Sequence, residues 1–281
     1  MPRIMQDAFS YCAELVHNSD RDRFIATLFA PVQCRAGLHA LYAFSLEVAR
    51  VRDLAREAMP GEIRLQWWRE VLQRQREGEA SASPTAIALL STIEAYRLPV
   101  NALLMLIEAR RFDLYNEPMV TIAQLEDYAI NTSSALFDMA AQVLGADAAA
   151  AARPAGIAYA MTGLLAALPK HAARRQLYLP LQLLESHGLG PEDVFAAHSS
   201  APLNTAFAEL RSLVRRHLDA AAEMLRSLPQ QALPAFLPMA LVRPSLDRLE
   251  RSDIFAPSML APWRRQWLMW RAARNLNRLA R

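Results

Sequence analysis

The amino-acid sequence predicts an all-α fold. Hydrophobic residues make up 53% of its 281 residues and charged residues 21%, so a sizeable core can form and an intrinsically disordered chain is excluded. Only 8 residues are glycine, which leaves little material for hairpins or glycine-rich phosphate loops. Alanine and leucine, which have favourable helix propensities, are abundant. No segment shows the alternating pattern that is typical of a β-strand.

Apolar residues recur at helical spacing, and prolines with short polar clusters separate the predicted helices. Near the start, Ser19 or Asp20 caps a helix that Pro31 ends, and the following helix is expected to stop at the turn of Pro60 and Gly61. The helices predicted in this part of the chain cover 20–29, 32–57, 62–77, 84–96, 100–115, 121–145 and 148–168.

Thr121 opens the sixth of these helices, with Gln124 at the capping-box position. The seventh carries almost no charge, so we expect it at the centre of the fold. After a polar break over 169–179, the pattern predicts helices over 181–187, 191–197, 203–228 and 233–242, a turn over 244–250, and a final helix over 262–281. No internal repeat or change of composition divides the chain, which predicts a single domain over residues 1–281.

Charge and cysteine content narrow the class of protein. The chain has 31 Lys and Arg against 28 Asp and Glu, and Lys170 is the only lysine; this balance does not indicate nucleic-acid binding. Cys12 and Cys34 lack the spacing of a disulfide framework or metal site, which favours a reducing compartment. The first residues do not resemble a secretory signal, and no apolar run is long enough to span a membrane. We therefore expect a protein of the bacterial cytoplasm, with the inner face of the inner membrane as a further location.

The common catalytic motifs are absent from the sequence. There is no phosphate-binding loop of the Walker type, no dinucleotide-binding fingerprint, no HExxH and no nucleophile elbow. The six histidines never pair at metal-ligand spacing. Standard hydrolase and zinc chemistry are therefore not predicted.

Two short motifs carry the most specific signal. The first is LYAF at Leu41–Phe44, followed nine residues later by Asp53, and the second is RRQLYLP at Arg174–Pro180. Both resemble motifs of the squalene/phytoene synthase family of head-to-head prenyltransferases. Leu125–Tyr128 followed by Thr132–Ser134 fits the same family, which has a helix ending in small residues there, where another backbone can approach closely. The resemblance spans most of the chain and implies an isoprenoid synthase-like helical bundle around a central cavity.

The resemblance also shows where this chain departs from the family. Such enzymes ionise an allylic diphosphate with Mg²⁺ ions held by two DxxxD motifs, whose carboxylates share one helix face. When this chain is aligned on its LYAF and YLP motifs, the two aspartate positions of the first DxxxD motif fall on Ala49 and Asp53. Those of the second DxxxD motif fall on Ala167 and His171. Only Asp53 is a carboxylate. These degenerate positions predict no catalytic residue, no metal site and no cofactor.

Two other carboxylate pairs have the same spacing of four residues. They are Asp53 with Glu57, and Asp113 with Glu117. Either pair could replace a lost metal site, but neither is matched by a second pair near Ala167. Solvated helix faces or salt bridges to arginine are the alternative interpretation.

One branch of the family is matched more closely. The stretches FSLEVARVRD at Phe44–Asp53, IRLQWW at Ile63–Trp68 and GLLAALPKHAARR at Gly163–Arg175 resemble the respiratory complex I assembly factors of squalene/phytoene synthase type and their bacterial relatives. This resemblance implies a non-catalytic protein that helps to build NADH dehydrogenase, with complex I subunits as partners. The alternative is an active head-to-head prenyltransferase that uses Mg²⁺.

If the central cavity of the family is retained in this chain, it would be a binding site for a ligand. The apolar helix over 148–168, with Leu136, Phe137 and Met161, is expected to line a tunnel for an isoprenoid or other lipid, unless side chains fill it. Arginines near the former diphosphate end can bind a phosphate headgroup without metal. The candidate ligand-binding residues are Arg50, Arg52, Asp53, Arg174, Arg175 and Tyr178.

The final predicted helix is basic and aromatic. It places Trp263, Trp267 and Trp270 on one face, with arginines distributed around it. Such a helix can lie in a bilayer interface, giving peripheral membrane contact through 262–281, or it can dock its tryptophans on the core. We expect the core arrangement, because a last helix commonly closes an α-domain.

Overall fold

The computed structural model describes residues 3–54, 57–257, 259–274 and 279, with the backbone alone for Glu77. No β-strand occurs among these residues, which confirms the all-α prediction, and no helix among them is long and apolar enough to cross a membrane. The α-helices are α1 (Arg3–Ser19), α2 (Arg21–Leu28), α3 (Val32–Ala49), α4 (Val51–Leu54), α5 (Ala58–Leu72), α6 (Glu77–Ala80), α7 (Pro84–Tyr96), α8 (Val100–Arg111), α9 (Ile122–Ala129), α10 (Ala135–Val143), α11 (Ala149–Ala166), α12 (Leu168–Ala173), α13 (Leu181–Ser186), α14 (Pro191–Phe195), α15 (Ala201–Leu225), α16 (Leu233–Phe236), α17 (Val242–Arg251) and α18 (Pro262–Ala272). Short 3₁₀ turns cover Phe112–Leu114, Gln230–Ala232 and Leu237–Leu241, and a π-helical turn covers Ile130–Ser134.

The contacts within the chain define two compact units. Unit 1 contains the described residues up to Tyr115, together with Ala135–Ala149 and Leu228–Leu237. Unit 2 contains Asn116–Ser134, Ala150–Ser227 and the described residues from Pro238 onwards. That the whole chain forms a single domain stays a prediction.

Helix α3 is the centre of unit 1. Residues 37–45 are all buried, so this part of the helix has no face toward solvent. Helices α1 and α7 pack against α3 and against each other. Helix α1, which the sequence analysis did not assign, buries Ala8, Cys12 and Val16, spaced four residues apart on one face.

A buried histidine lies within this core. The His39 ring stacks on the Phe24 ring at a centroid distance of 5.6 Å, and His39 Nε2 has no hydrogen-bond partner among the described residues. Burial, with a smaller contribution from the charge of Arg35, lowers the pKa of His39 to about 4. His39 is therefore neutral in the folded protein at pH 7.

In unit 2, α11 packs against the π-helical turn at very short range. A Cβ at Gly156 would lie 2.2 Å from the backbone N of Ser134 and 2.3 Å from its Cα. The Ser134 hydroxyl donates to the carbonyl of Arg153 at 2.8 Å. The small residues at Thr132–Ser134 thus let a neighbouring helix approach closely, as the sequence predicts. Helix α11 is largely buried, but its Gly163 is exposed, so the helix is not enclosed on all sides.

The prediction of one continuous helix over 32–57 is wrong after Ala49. Helix α3 ends at Ala49, the backbone turns at Arg50, and the amides of Asp53 and Leu54 both donate to the Arg50 carbonyl at 3.0 and 3.1 Å. This tight turn starts α4 as a separate helix.

Three other boundary errors share one cause, because a proline was interpreted as the end of a helix. Pro60 and Gly61 lie in the first turn of α5, Pro169 in that of α12, and Pro244 in that of α17. Amides of the first helical turn have no intrahelical partner, so a proline there costs no hydrogen bond. The first part of the predicted break over 169–179 is therefore helical, as part of α12, and the whole predicted turn over 244–250 lies within α17.

The expected docking of the tryptophan stripe on the core is also wrong. Helix α18 buries Met269 and Ala272, while Trp263, Trp267 and Trp270 are exposed. The remainder of the helix predicted over 262–281 includes residues 275–278, 280 and 281, which lie outside the described residues.

The buried neutral state of His39 predicts acid-dependent stability. Its depressed pKa means that the full contribution is present above the unfolded-state pKa of about 6.5 and is lost as the pH falls toward 4. We expect the free energy of unfolding to fall by up to about 3 kcal/mol over this window, and the His39→Leu variant to lose this dependence. Urea denaturation between pH 7.5 and 4 measures it. The exposed His198→Gln variant should keep the wild-type slope, and equal slopes for wild type and His39→Leu would contradict the assignment.

Two glycines of α11 provide a matched test of the contact with Ser134. Gly156→Ala should lower the free energy of unfolding by about 3 kcal/mol, because its Cβ would overlap the Ser134 backbone. Gly163→Ala should raise it by about 0.5–1 kcal/mol, because a Cβ there meets nothing within 4 Å and alanine favours the helix. Thermal or urea unfolding measures both. Equal effects of the two substitutions would show that the contact is not close.

Candidate functional site

The first pair of motif positions lies in unit 1 at the end of α3. Ala49 is the last residue of α3, and Asp53 is an exposed residue of α4 beyond the turn at Arg50. The guanidinium of Arg50 donates to the Ser19 hydroxyl at 3.1 Å, and Arg52 is half-buried. Positions 49 and 53 therefore belong to two helices rather than to one continuous helix face.

Neither of the other carboxylate pairs occupies one helix face. Glu57 precedes α5 in an extended conformation, whereas Asp53 lies in α4. Asp113 is buried in a 3₁₀ turn, and Arg110 donates to its carboxylate at 3.1 Å; Glu117 follows in non-helical chain. The salt-bridge interpretation of Asp113 is thus confirmed, and the helical pairing that a shared metal needs is not formed.

Glu47 is a further carboxylate in this region that was not predicted from the sequence. Its side chain is largely buried, and it accepts hydrogen bonds from Arg64 at 2.8 Å and from the Thr85 hydroxyl at 2.5 Å. Glu47 also lines a cavity of about 480 Å³ in unit 1, together with Arg50 and Tyr11. The signal was available, because Glu47 is the only acidic residue within the long apolar stretch of α3.

The second pair of motif positions lies in unit 2, where α11 continues into α12. Ala167 joins the two helices, and the His171 amide donates to its carbonyl at 3.0 Å. The His171 ring lies against the Tyr178 ring, with centroids 4.6 Å apart. Tyr178 is buried, and its hydroxyl accepts a hydrogen bond from Gln176 Nε2 at 2.8 Å.

The two arginines that follow α12 are exposed. Arg175 adopts a left-handed backbone conformation, with φ of 53°. Its guanidinium forms an ion pair with Glu192 and lies 4.7 Å from the centroid of the Phe195 ring. Arg175 is therefore held against α14, while Arg174 stands beside it at the surface. Ligand binding by Arg50, Arg52, Asp53, Arg174, Arg175 and Tyr178 stays a prediction.

Unit 2 contains a cavity of about 440 Å³ beside α11. Its wall is mainly apolar, with three hydroxyl-bearing residues, Tyr159, Thr162 and Ser245, and two cations, Lys170 and Arg265. Of the predicted site residues, only Ala167 lines this cavity, and Leu136, Phe137 and Met161 do not. The lining residues are Tyr159, Thr162, Gly163, Ala166, Ala167, Pro169, Lys170, Leu241, Val242, Ser245, Pro257, Met259, Leu260 and Arg265.

The residues at the four motif positions do not fit a Mg²⁺ ion that bridges a diphosphate. Mg²⁺ prefers oxygen ligands in octahedral geometry, whereas Ala49 and Ala167 offer methyl groups and His171 an imidazole. Within the described ranges, no group of three or more His, Cys, Asp or Glu residues is arranged to hold a metal ion. That the protein works without a metal or cofactor stays a prediction.

Comparison with known proteins gives matches along most of the chain. Residues 16–271 match the sequence model of squalene/phytoene synthase. The chain is 30% identical over 254 residues to the "NADH dehydrogenase (ubiquinone) complex I, assembly factor 6" of Mus musculus, covering 89% of this chain and 76% of that protein. It is 22% identical over 280 residues to the 15-cis-phytoene synthase of Synechococcus elongatus, covering 93% and 91% respectively.

Solved structures show the same fold. A dehydrosqualene synthase crystallised with a ligand superposes with a TM-score of 0.81 at 16% identity, covering 95% of each chain. A squalene synthase from Alicyclobacillus acidocaldarius superposes with a TM-score of 0.77 at 22% identity, covering 89% of this chain and 96% of that one. The helical fold predicted from the two motifs is confirmed.

Proposed function

The chain belongs to the squalene/phytoene synthase family, and we propose that it assists the assembly of respiratory complex I and does not couple prenyl diphosphates. The observation that carries this proposal is the composition of the four motif positions. Ala49, Ala167 and His171 supply no carboxylate, and Asp53 is an exposed residue of a separate short helix. Ionisation of an allylic diphosphate needs divalent cations at the leaving group, and one carboxylate is too few to hold them.

The sequence comparisons also support the assembly role over prenyl coupling. Identity is 30% to the mouse complex I assembly factor and 22% to the cyanobacterial phytoene synthase, over similar shares of this chain. The alternative function, a Mg²⁺-dependent prenyltransferase, would require other oxygen ligands. Glu47, the buried acid closest in sequence to the first motif, is already bound by Arg64 and Thr85.

The cavity of unit 2 supports a lipid-binding part of this role. Its volume of about 440 Å³ lies within the range of about 300–1,000 Å³ that is common for small-molecule sites. An apolar wall with Lys170 and Arg265 suits an amphiphile that has a hydrocarbon or isoprenoid chain and an acidic headgroup. Side-chain cations would neutralise the headgroup there without a metal ion.

Gene deletion with complementation tests the assembly role. Loss of the gene should lower the NADH dehydrogenase activity of membranes and the amount of complete complex I on native gels, while isoprenoid products stay unchanged. Wild type and Asp53→Ala should restore complex I to within about twofold of each other, because an exposed carboxylate contributes little to stability.

The purified protein provides the matching enzymatic control. Incubation with farnesyl or geranylgeranyl diphosphate and Mg²⁺ should release no pyrophosphate. Metal-dependent release that Asp53→Ala abolishes would refute the proposal, as would normal complex I in the deletion strain with altered isoprenoids.

A bulky residue at Gly163 tests the lipid cavity. Gly163→Leu should fill part of the cavity, since Gly163 lines it and nothing lies within 4 Å of a Cβ at this position. Native mass spectrometry of gently extracted protein should show a bound amphiphile on wild type and severalfold less on the variant. Gly78→Leu is the matched control, because Gly78 is equally open and does not line the cavity. A ligand-free wild type, or equal loading of all three proteins, would contradict the prediction.

A further inference from the structure

Helix α18 presents a stripe of three tryptophans to solvent. Trp263 is 70% exposed, and Trp267 and Trp270 are each 48% exposed. At 3.6 residues per turn, the three positions fall within an arc of about 60°. The stripe extends along a helix of 11 residues, or about 16 Å.

The orientation of α18 is fixed by its opposite face. Met269 is fully buried and Ala272 is 2% exposed, and both lie on the side of the helix away from the tryptophans. The tryptophans therefore face solvent although α18 is packed against the rest of the protein. The packing of α18 keeps the three indoles in solvent. An exposed apolar stripe of this kind indicates a surface that binds a partner.

All charges along this helix are positive. From Met259 to Arg274 the chain contains four arginines and no acidic residue. Two of them stand beside the indoles: the guanidinium of Arg271 lies 5.4 Å from the Trp267 ring centroid, and that of Arg274 lies 4.1 Å from the Trp270 centroid. The exposed apolar stripe is thus flanked by cations along its length.

A second cluster of arginines continues the positive surface beyond the helix. Arg248 and Arg251 of α17 line one concavity of about 370 Å³ with Arg264 of α18. The one carboxylate in this concavity, Asp247, lies 3.6 Å from Arg215 on α15. Among the described residues, Arg248, Arg251 and Arg264 form no ion pair, so their charge is not neutralised within this part of the protein.

We propose that this face, which we call the tryptophan face, docks on an anionic lipid bilayer with the axis of α18 parallel to the membrane plane. The tryptophan face consists of Trp263, Trp267, Trp270, Arg264, Arg271 and Arg274. Indole rings settle at the depth of the lipid headgroups, and the flanking guanidinium groups meet anionic phosphates. The concavity between α17 and α18 provides a further position for a phosphate.

A bilayer matches this surface better than a protein partner does. An anionic bilayer has an apolar layer directly beneath a continuous layer of negative charge. The apolar stripe of α18 can enter the first, while the cations beside it meet the second. A protein partner would need an apolar groove rimmed by several carboxylates with the same geometry. The proposal does not depend on the assembly role, because membrane docking is measured on the purified protein.

Vesicle flotation tests the proposal directly. Purified full-length protein should float with vesicles of phosphatidylcholine containing 30% phosphatidylglycerol, and at least about tenfold less with phosphatidylcholine alone. Trp263→Ala with Trp270→Ala should weaken the partitioning by at least about tenfold, because the indoles no longer enter the interface. Arg271→Gln with Arg274→Gln should weaken it at low salt and reduce its dependence on ionic strength.

A matched control uses Met59→Ala with Ile63→Ala, which removes two exposed apolar side chains from α5. This variant should float like wild type, and circular dichroism should show unchanged helix content for every variant. Failure of wild type to float with the anionic vesicles would overturn the proposal. So would flotation that the tryptophan variants leave unchanged, or a concentration-dependent dimer that they abolish, since the face would then bind a second copy of the chain.

Discussion

The contact between Gly156 and the backbone of Ser134 determines where α11 lies in unit 2. Because no side chain separates the two backbones, the helix is held at a distance that no other residue at position 156 permits. One side of the cavity wall, between Tyr159 and Lys170, and the motif positions Ala167 and His171 lie on α11, on its continuation α12 or at the junction between them. The position of this side of the candidate ligand site therefore depends on one glycine, which lies less than one helical turn before Tyr159, the first residue of α11 that lines the cavity.

Much of the fold follows from the sequence, because it depends on helical periodicity and on short-range capping. The Asp20 cap, the Thr121–Gln124 capping box and the helix over Pro84–Tyr96 are local features, and the structure has them where the sequence places them. The errors at Pro60, Pro169 and Pro244 arise because proline disfavours a helix interior and favours a first turn, and local sequence does not distinguish the two positions.

The candidate site is less predictable for a different reason. The degenerate motif positions can be identified from short motifs. The wall of the cavity in unit 2, however, also comes from Leu241, Val242, Ser245, Pro257, Met259 and Leu260, which no motif indicates. Burial of one face of α18 rather than the other depends on tertiary packing that helical periodicity does not contain. The sequence therefore indicates the family and the missing carboxylates, whereas the structure supplies the cavity and the exposed tryptophans.

Both cysteine side chains of the protein are buried. Cys12 is fully buried and Cys34 is 8% exposed, and burial raises the pKa of Cys12 to about 12, so its reactive thiolate is scarce at neutral pH. A cysteine introduced at the open position Gly163 would consequently be the preferred target of a maleimide dye or spin label without removal of the native pair. Fluorescence or spin-label spectroscopy would then report when a molecule enters the cavity beside α11, with the rest of the chain unchanged.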